Sequence, residues 1–141
     1  MTIKQLAQHL INKHGTSDPL RLADALSVTV LYCPLGMTLG YYLHDRRNKI
    51  IVINDQTDDE MRPYICAHEL GHSLLHNTSN LPFLSRNTLF SIDKIERQAD
   101  TFAAELLLPD DLCREHADIS LEKLGRMYGV PSQIVQLKTL P

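Results

Sequence analysis

The sequence predicts an α+β fold in which a small, mainly antiparallel sheet of about three strands is flanked by helices. Three short stretches rich in β-branched residues and Tyr lie between residues 28 and 53, and segments with helical periodicity lie before and after them. Strands and helices that are segregated along a chain are typical of α+β domains. The length of 141 residues and the 43% hydrophobic content suit one compact domain, 1–141.

Two helices are predicted before the first strand. Apolar residues recur at helical spacing in the first of them, at Ile3, Leu6, Leu10 and Ile11. Gly15 follows as a stop. Asp18-Pro19 then opens the second helix, because Asp is a favoured N-cap and Pro is tolerated at the first helical position.

Three strands are predicted next, at residues 28–33, 39–44 and 49–53. The tetrapeptide Asp45-Arg46-Arg47-Asn48 is typical of a hairpin turn between the last two strands. Antiparallel pairing of these two strands is therefore expected.

A helix is expected to begin at Pro63 and to end near His76. Thr57-Asp58-Asp59-Glu60 fits the capping box S/T-x-x-E, but Pro63 sits awkwardly inside the helical stretch that it would open. Either a short first turn breaks there, or the helix starts at Pro63. The second is favoured, because Pro is compatible with a first helical turn.

The rest of the chain is predicted to be one loop followed by helices. Residues 77–91 carry Asn, Ser and Pro without a sustained period, which indicates a loop. Helical segments follow at about 92–108, 110–116, 120–128 and from 132 onward. The last two form an expected C-terminal helical pair.

Residues 68–72 read HELGH and match the pattern HExxH. Imidazoles at positions i and i+4 point off one face of a helix, so His68 and His72 can bind one Zn²⁺ ion. Glu69 would lie beside the open position of the metal, where it can act as the catalytic general base. One Zn²⁺ ion is the expected cofactor, although Mn²⁺ or another divalent metal would accept the same ligands.

A catalytic zinc site needs a third protein ligand. The metzincin pattern HExxHxxGxxH fails, because its Gly and third His fall on Leu75 and Thr78. Downstream, Glu96 and Asp100 are four residues apart and share one helical face. Glu96 can complete a His₂Glu site, and Asp100 can accept the ring N–H of a ligating imidazole, preferably His68.

Three residues near the motif have structural interpretations. His76 lies about 12 Å along the helix from His68, so it cannot join the same metal and is interpreted as a hydrogen-bonding residue at the helix end. Cys66 faces elsewhere and is rejected as a ligand. Gly71 costs about 1 kcal/mol in mid-helix relative to Ala, which indicates close backbone packing beside the site.

Composition argues against several classes of function. The net charge of −3 offers no electrostatic footprint for nucleic acid. The longest apolar runs are short, and the N-terminus lacks an apolar signal-peptide region, so no membrane association is expected. Three cysteines without C-x-x-C spacing indicate free thiols in a reducing compartment. We therefore expect a cytoplasmic protein.

The strings AHELGHSLLH (67–76) and ERQADTFAAELLLP (96–109) resemble the ImmA/IrrE-type metallopeptidases, and GYYLHDRRNKIIVIN (40–54) is also similar to that family. The resemblance implies a zincin-like fold with a gluzincin-type ligand set. Carried onto this chain, it implies metal binding by His68, His72 and Glu96 and catalysis by Glu69. The resemblance covers roughly residues 38–110. Within the single domain we distinguish N-terminal helices with the first strand (1–35), a catalytic core (36–110) and a C-terminal helical segment (111–141).

The resemblance also implies an intracellular zinc-dependent endopeptidase. Its expected substrate is a partner protein, a helix-turn-helix repressor of a phage, a mobile element or a stress regulon. An extended substrate peptide is expected to add as a strand beside 49–54. The residues expected to contact it are Ile51, Ile53, Asn54 and Tyr64.

Two other functions compete with this one. The first is a non-cleaving anti-repressor or antitoxin-like binding module on the same fold, against which the retained Glu69 argues. The second is DNA binding, because residues 120–135 have the rhythm of a helix-turn-helix. Charge argues against direct DNA binding, since the presumed second helix carries only Lys138 as a basic residue.

Overall fold

The computed structural model describes residues 1–76, the backbone of 83–84, and 94–141. The helices in these ranges are α1 (Ile3–His14), α2 (Pro19–Ala25), α3 (Arg62–Leu75), α4 (Lys94–Leu107), α5 (Asp110–Glu115), α6 (Leu121–Met127) and α7 (Ser132–Val135). The strands are β1 (Val28–Cys33), β2 (Thr38–Asp45), β3 (Asn48–Asn54) and β4 (Phe83–Leu84). The predicted α+β class is confirmed.

The sheet is mixed, with the strand order β1-β3-β2-β4, and two of its three pairings among the described residues are antiparallel, in agreement with the predicted mainly antiparallel sheet. β2 and β3 form the predicted antiparallel hairpin, but β1 runs parallel to β3, with Val28 opposite Lys49. β3 is therefore central, and its consecutive residues Ile51, Val52 and Ile53 are at most 3% exposed. Burial on both faces explains why this strand reads as a continuous apolar run.

β4 lies inside the segment that the sequence predicted to be a loop. It pairs antiparallel with β2, with Phe83 opposite Gly40 and Leu84 opposite Thr38. The rest of that predicted loop lies outside the described residues. The loop prediction is thus wrong at these two positions, because a strand this short carries no period that a sequence can reveal.

Glycines allow α3 to approach both α4 and the sheet. A Cβ atom at Gly71 would lie 3.2 Å from both the Cα and the carbonyl oxygen of Ala99. The close backbone packing predicted from Gly71 is therefore confirmed. A Cβ atom at Gly40 in β2 would lie 2.8 Å from Cγ2 of Ile65 in α3. α3 is thus packed tightly between the sheet and α4.

The start of α3 differs from the prediction. The capping box predicted at Thr57 does not form. The Thr57 hydroxyl donates to the carbonyl of Asn54 at 2.8 Å instead of capping a helix. A 3₁₀ turn at Asp59–Met61 precedes α3, and Pro63 occupies the first turn of the helix. The cap predicted at Asp18 is confirmed, since its carboxylate accepts a backbone N–H of α2 at 3.1 Å.

The predicted C-terminal helical pair is present as α6 and α7. The side chains of this pair that pack in the core are Leu124, Ile134 and Val135, and all three are buried. In the part of the chain that the structure describes, no helix combines the length and the apolar character needed to cross a membrane.

A buried ion cluster joins the C-terminal residues to three helices. Nζ of Lys138 donates to Glu105 of α4 at 2.6 Å and to Asp110 of α5 at 2.5 Å, and Nζ of Lys4 in α1 lies 2.9 Å from Asp110. The backbone N–H of Thr139 donates to the second oxygen of Glu105 at 3.2 Å. The side chains of Lys138 and Glu105 are only 1% and 2% exposed. Removal of either one would therefore leave the other as an uncompensated buried charge.

Replacement of Gly71 by Ala should destabilise the protein. Helix propensity alone would stabilise α3 by about 1 kcal/mol, but the new methyl group would meet the backbone of Ala99. We expect the free energy of unfolding to fall by about 1–3 kcal/mol, measured by urea denaturation. An increase in stability would show that the two helices are not in close contact at this point.

The ion cluster should make stability depend on acid pH. Partial burial acts to raise the pKa of Asp110, but hydrogen bonds and charges from Lys138 and Lys4 outweigh it and hold this pKa below the ordinary value of 3.8. The unfolded state then binds the proton more tightly, so the stabilisation is present above that value and is lost as the pH falls through the folded pKa.

The free energies of unfolding of the wild type and of Asp110→Asn should therefore differ by a constant amount near neutral pH. The difference should shrink below pH 3.8, the ordinary pKa of this carboxyl. Asp111→Asn is the matched control, because the Asp111 side chain is 82% exposed. A difference for Asp110→Asn that persisted unchanged into strong acid would contradict the assignment.

Candidate metal centre

Two imidazoles from α3 and one carboxylate from α4 converge on one point. The Nε2 atoms of His68 and His72 lie 3.1 Å apart. The oxygens of Glu96 lie 3.1 Å from Nε2 of His68 and 2.9 Å from Nε2 of His72. In the described residues this is the group of side chains that could hold a metal ion. The structure thus brings together the three residues that the sequence selected as ligands.

The donor atoms of this group fit a divalent metal ion. Tetrahedral bonds of about 2.0–2.1 Å hold neighbouring ligand atoms about 3.3–3.4 Å apart. The three separations of 2.9–3.1 Å are only slightly shorter. Two imidazole nitrogens and a carboxylate that face one another in a buried place need a positive charge between them.

A proton on His68 is one such positive charge, because the surroundings of this imidazole favour its protonated form. Burial acts to lower the pKa of His68, but hydrogen bonds to Asp100 and Glu96 and the charge of Glu69 raise it to about 9. Burial acts to raise the pKa of Glu96, but hydrogen bonds to His68 and His72 outweigh it and hold this pKa well below its usual range. A metal ion that binds here must displace the proton.

Asp100 orients the His68 ring through a contact with its Nδ1 atom. Nδ1 of His68 lies 2.8 Å from Oδ1 of Asp100, and the hydroxyl of Tyr64 donates to the same oxygen at 2.6 Å. The contact expected between Asp100 and His68 is therefore present. A carboxylate only accepts, so His68 donates from Nδ1, and in the neutral imidazole the Nε2 lone pair then faces the convergence point. Tyr64 lies one helical turn before His68, a spacing that could have indicated this partnership.

His72 has a different neighbour on its outer side. Its Nδ1 lies 3.1 Å from Nδ1 of His76. The Nε2 of His76 lies 2.7 Å from Oε1 of Gln98 in α4. His76 is thus hydrogen-bonded at the end of α3, as the sequence predicted. Gln98 was not recognised in the sequence, because nothing local connects it to a histidine on another helix.

Glu69 follows His68 directly and is fully buried. Within the described ranges, neither of its carboxylate oxygens has a hydrogen-bond partner. Burial raises the pKa of Glu69 to about 8. The charges of Glu96 and Asp100 also raise this pKa, whereas the charge of His68 lowers it. A buried carboxyl whose pKa lies near neutrality is suited to taking up and releasing a proton.

The residues expected to contact substrate have other roles. β3 is paired on both edges, so an extended peptide cannot add beside 49–54 as the sequence analysis expected. Ile51 and Ile53 are core side chains with 0% exposure. The amide of Asn54 donates to two backbone carbonyls near the start of β2, at 3.0 and 2.9 Å. Tyr64 is 2% exposed and bonded to the carboxylate behind His68.

Comparison with known proteins identifies the family. Residues 23–139 match the model of a peptidase family that is described as IrrE N-terminal-like domain. The chain belongs to the ImmA/IrrE-type metallopeptidase family. The sequence resemblance, which covered roughly residues 38–110, is confirmed and extended over most of the chain.

Three relatives of this ImmA/IrrE-type chain span different lengths. It is 43% identical over 141 residues to "Uncharacterized immunity region protein 2" of Bacillus phage phi105, with 98% of this chain and 89% of that protein covered. It is 30% identical over 140 residues to "Metallopeptidase ImmA" of Bacillus subtilis (strain 168), with 96% and 83% covered. It is 30% identical over 118 residues to "Radiation response metalloprotease IrrE" of Deinococcus deserti, with 77% and 41% covered.

The purified protein should bind one divalent metal ion per chain, and Glu96→Ala should weaken this binding strongly. Loss of the carboxylate leaves two imidazoles as the only protein ligands of the group. We expect the affinity for Zn²⁺, measured by competition with a chromogenic chelator, to fall by at least about 100-fold. Glu115→Ala, at an exposed position of α5, is the control and should bind like the wild type.

Proposed function

We propose that this protein is a zinc-dependent endopeptidase that cleaves a helix-turn-helix repressor in the cytoplasm. The observation that carries the proposal is the buried Glu69 carboxylate, which has no hydrogen-bond partner in the described part of the chain and adjoins three convergent donor atoms. In a member of a metallopeptidase family, this arrangement supports hydrolysis with Glu69 as the general base.

His68, His72 and Glu96 would hold the metal ion. Bound there, a divalent ion supplies Lewis acidity, which lowers the pKa of a coordinated water and polarises the scissile carbonyl. Zinc is the proposed ion because two imidazole nitrogens and one carboxylate oxygen match the ligands that it takes in catalytic sites. Asp100 and Tyr64 keep His68 in the tautomer that can ligate.

Glu69 would carry the proton during hydrolysis. It takes a proton from the attacking water and delivers it to the amine that leaves, so one side chain serves as base and then as acid. Its burial makes this transfer effective, because no bulk water solvates the carboxylate. Burial raises the pKa of Glu69 to about 8, so the site disfavours the negative charge of this carboxylate. The added positive charge of a bound metal would therefore favour its ionised form.

The substrate proposal draws on the names of the relatives. One is named as an immunity region protein of a phage, and another as the metallopeptidase ImmA. Control of phage immunity depends on repressors, so a peptidase in such a region has a natural substrate in the repressor. The three cysteines are free thiols, as a reducing cytoplasm would keep them.

A non-cleaving anti-repressor on the same fold is the competing proposal. A protein that only binds its partner gains nothing from a buried carboxylate without a hydrogen-bond partner, which costs stability. The presence of Glu69 beside the convergent donors therefore favours the hydrolase. Fragment analysis of the partner by mass spectrometry separates the two functions.

Direct DNA binding has less support. Lys138, the one basic residue that the sequence analysis found for the presumed second helix, is buried and bonded to Glu105 and Asp110. Neutralisation of phosphates by this segment would thus be weak.

Glu69→Gln should bind metal but should not cleave the repressor. The amide keeps the size of the side chain but cannot accept and return a proton at neutral pH. A candidate cognate helix-turn-helix repressor is incubated with wild type or variant, and fragments are followed by mass spectrometry. We expect a loss of rate of at least about 1,000-fold, with Zn²⁺ affinity within a few-fold of wild type.

Glu122→Gln, at an exposed position of α6, is the matched control for that experiment. It makes the same chemical change far from the convergent donors and should cleave at the wild-type rate. Cleavage by Glu69→Gln near the wild-type rate would remove Glu69 from the mechanism.

Activity on generic substrates should be weak. A peptidase that works in the cytoplasm must be selective, so recognition of a folded partner is expected to limit cleavage. We expect the zinc-loaded protein to leave casein essentially intact under conditions in which the repressor is cleaved. Rapid digestion of casein to small peptides would contradict this selectivity.

A further inference from the structure

The structure assigns a positioning role to His76: held by Gln98, it accepts the Nδ1 proton of His72 and so directs the Nε2 lone pair of His72 to the metal. This inference rests on the proposed metal centre. It gives a task to a third imidazole that lies one turn beyond the motif and too far along the helix from His68 to share its ion.

The direction of the hydrogen bonds follows from their partners. Oε1 of Gln98 can only accept, so Nε2 of His76, 2.7 Å away, must donate to it. A neutral imidazole that carries its proton on Nε2 has a lone pair on Nδ1. That lone pair faces Nδ1 of His72 at 3.1 Å, and two protonated nitrogens at this distance would repel each other. His72 therefore donates from Nδ1, which leaves its Nε2 bare.

The opposite orientation of the Gln98 amide would prevent metal binding. An N–H of the amide would then donate to Nε2 of His76, and the His76 proton would move to Nδ1. Nδ1 of His72 would have to accept it, so that a neutral His72 would carry its proton on Nε2, where the metal must bind. The two hydrogen bonds are thus compatible with metal binding in one direction only: Nδ1 of His72 donates to His76, and Nε2 of His76 donates to Gln98.

Charge explains why the outer partner of His72 is an imidazole and that of His68 a carboxylate. Glu69, Glu96 and Asp100 already place three carboxyl groups around the two ligating imidazoles. A further buried carboxylate would add repulsion and a desolvation cost. A neutral imidazole that is itself fixed by an amide orients His72 without adding negative charge.

The same two helices supply every part of this arrangement. His72 lies in the last turn of α3 and His76 directly follows this helix, with the two ring centroids 5.2 Å apart. Gln98 lies in α4 between Glu96 and Asp100. α4 therefore provides the third ligand and, on either side of the centre, a group that fixes each imidazole.

Four variants test the role through metal affinity. His76→Leu and Gln98→Leu remove the acceptor, whereas His76→Gln and Gln98→Glu keep an oxygen that can accept. Zn²⁺ affinity is measured by competition with a chromogenic chelator, and thermal unfolding of the metal-free proteins reports on the fold. We expect His76→Leu to bind Zn²⁺ about 10- to 100-fold more weakly. Gln98→Leu should change in the same direction, and the two conservative variants should keep most of the affinity.

Long-range ¹H–¹⁵N NMR of the zinc-loaded wild type gives a readout that a merely structural role would not produce. We expect His76 to carry its proton on Nε2 and His72 to carry its proton on Nδ1. A His76 proton on Nδ1 would overturn the inference. This measurement needs no variant, so it decides the question even if His76→Leu does not fold.

Failure of this inference differs from failure of the proposed function. If the wild type binds one Zn²⁺ ion and His76→Leu binds it equally well, His76 only stabilises the end of α3 and the inference is overturned, while the metal centre stands. If the wild type binds no divalent metal, both are overturned.

Discussion

The close packing of α4 against α3 is the constraint on which the site depends. At Gly71 the two backbones approach so nearly that a methyl group would press on Ala99. This contact sets the distance from the histidines of one helix to the carboxylate of the other. A wider crossing would leave His68 and His72 as an ordinary helical pair, because Glu96 would no longer reach them.

Charge compensation is the second condition. Burial of Glu69, Asp100 and two imidazoles in one place is unfavourable unless a cation or protons balance the carboxylates. Burial raises the pKa of Glu69 to about 8. The burial of His68 is outweighed by hydrogen bonds to Asp100 and Glu96, which raise its pKa to about 9. Under the proposed function, a divalent ion bound by these donors would replace a proton, and its charge would favour the ionised form of Glu69.

The far end of α4 is anchored by a separate set of charges. Glu105 lies near the C-terminus of the helix and binds Lys138, while Lys4 and Lys138 share Asp110. α1, α5 and the C-terminal residues thereby hold the helix whose N-terminal half carries Glu96. The ion cluster and the candidate metal centre thus lie at opposite ends of α4.

The sequence by itself determined the elements and the chemistry of the centre. Helical periods, the cap at Asp18, and the spacing of HExxH and ExxxD are local signals, and they suffice to select the residues of the centre: His68, Glu69, His72, Glu96 and Asp100. The hairpin of β2 and β3 was predicted, but only the tertiary structure decided that β1 pairs parallel with β3 and that β4 pairs with β2. It placed β3 between β1 and β2, which removed Ile51 and Ile53 from any substrate groove, and it brought Gln98 to His76. These contacts join residues far apart in the chain, and their energy depends on three-dimensional packing that no local period encodes.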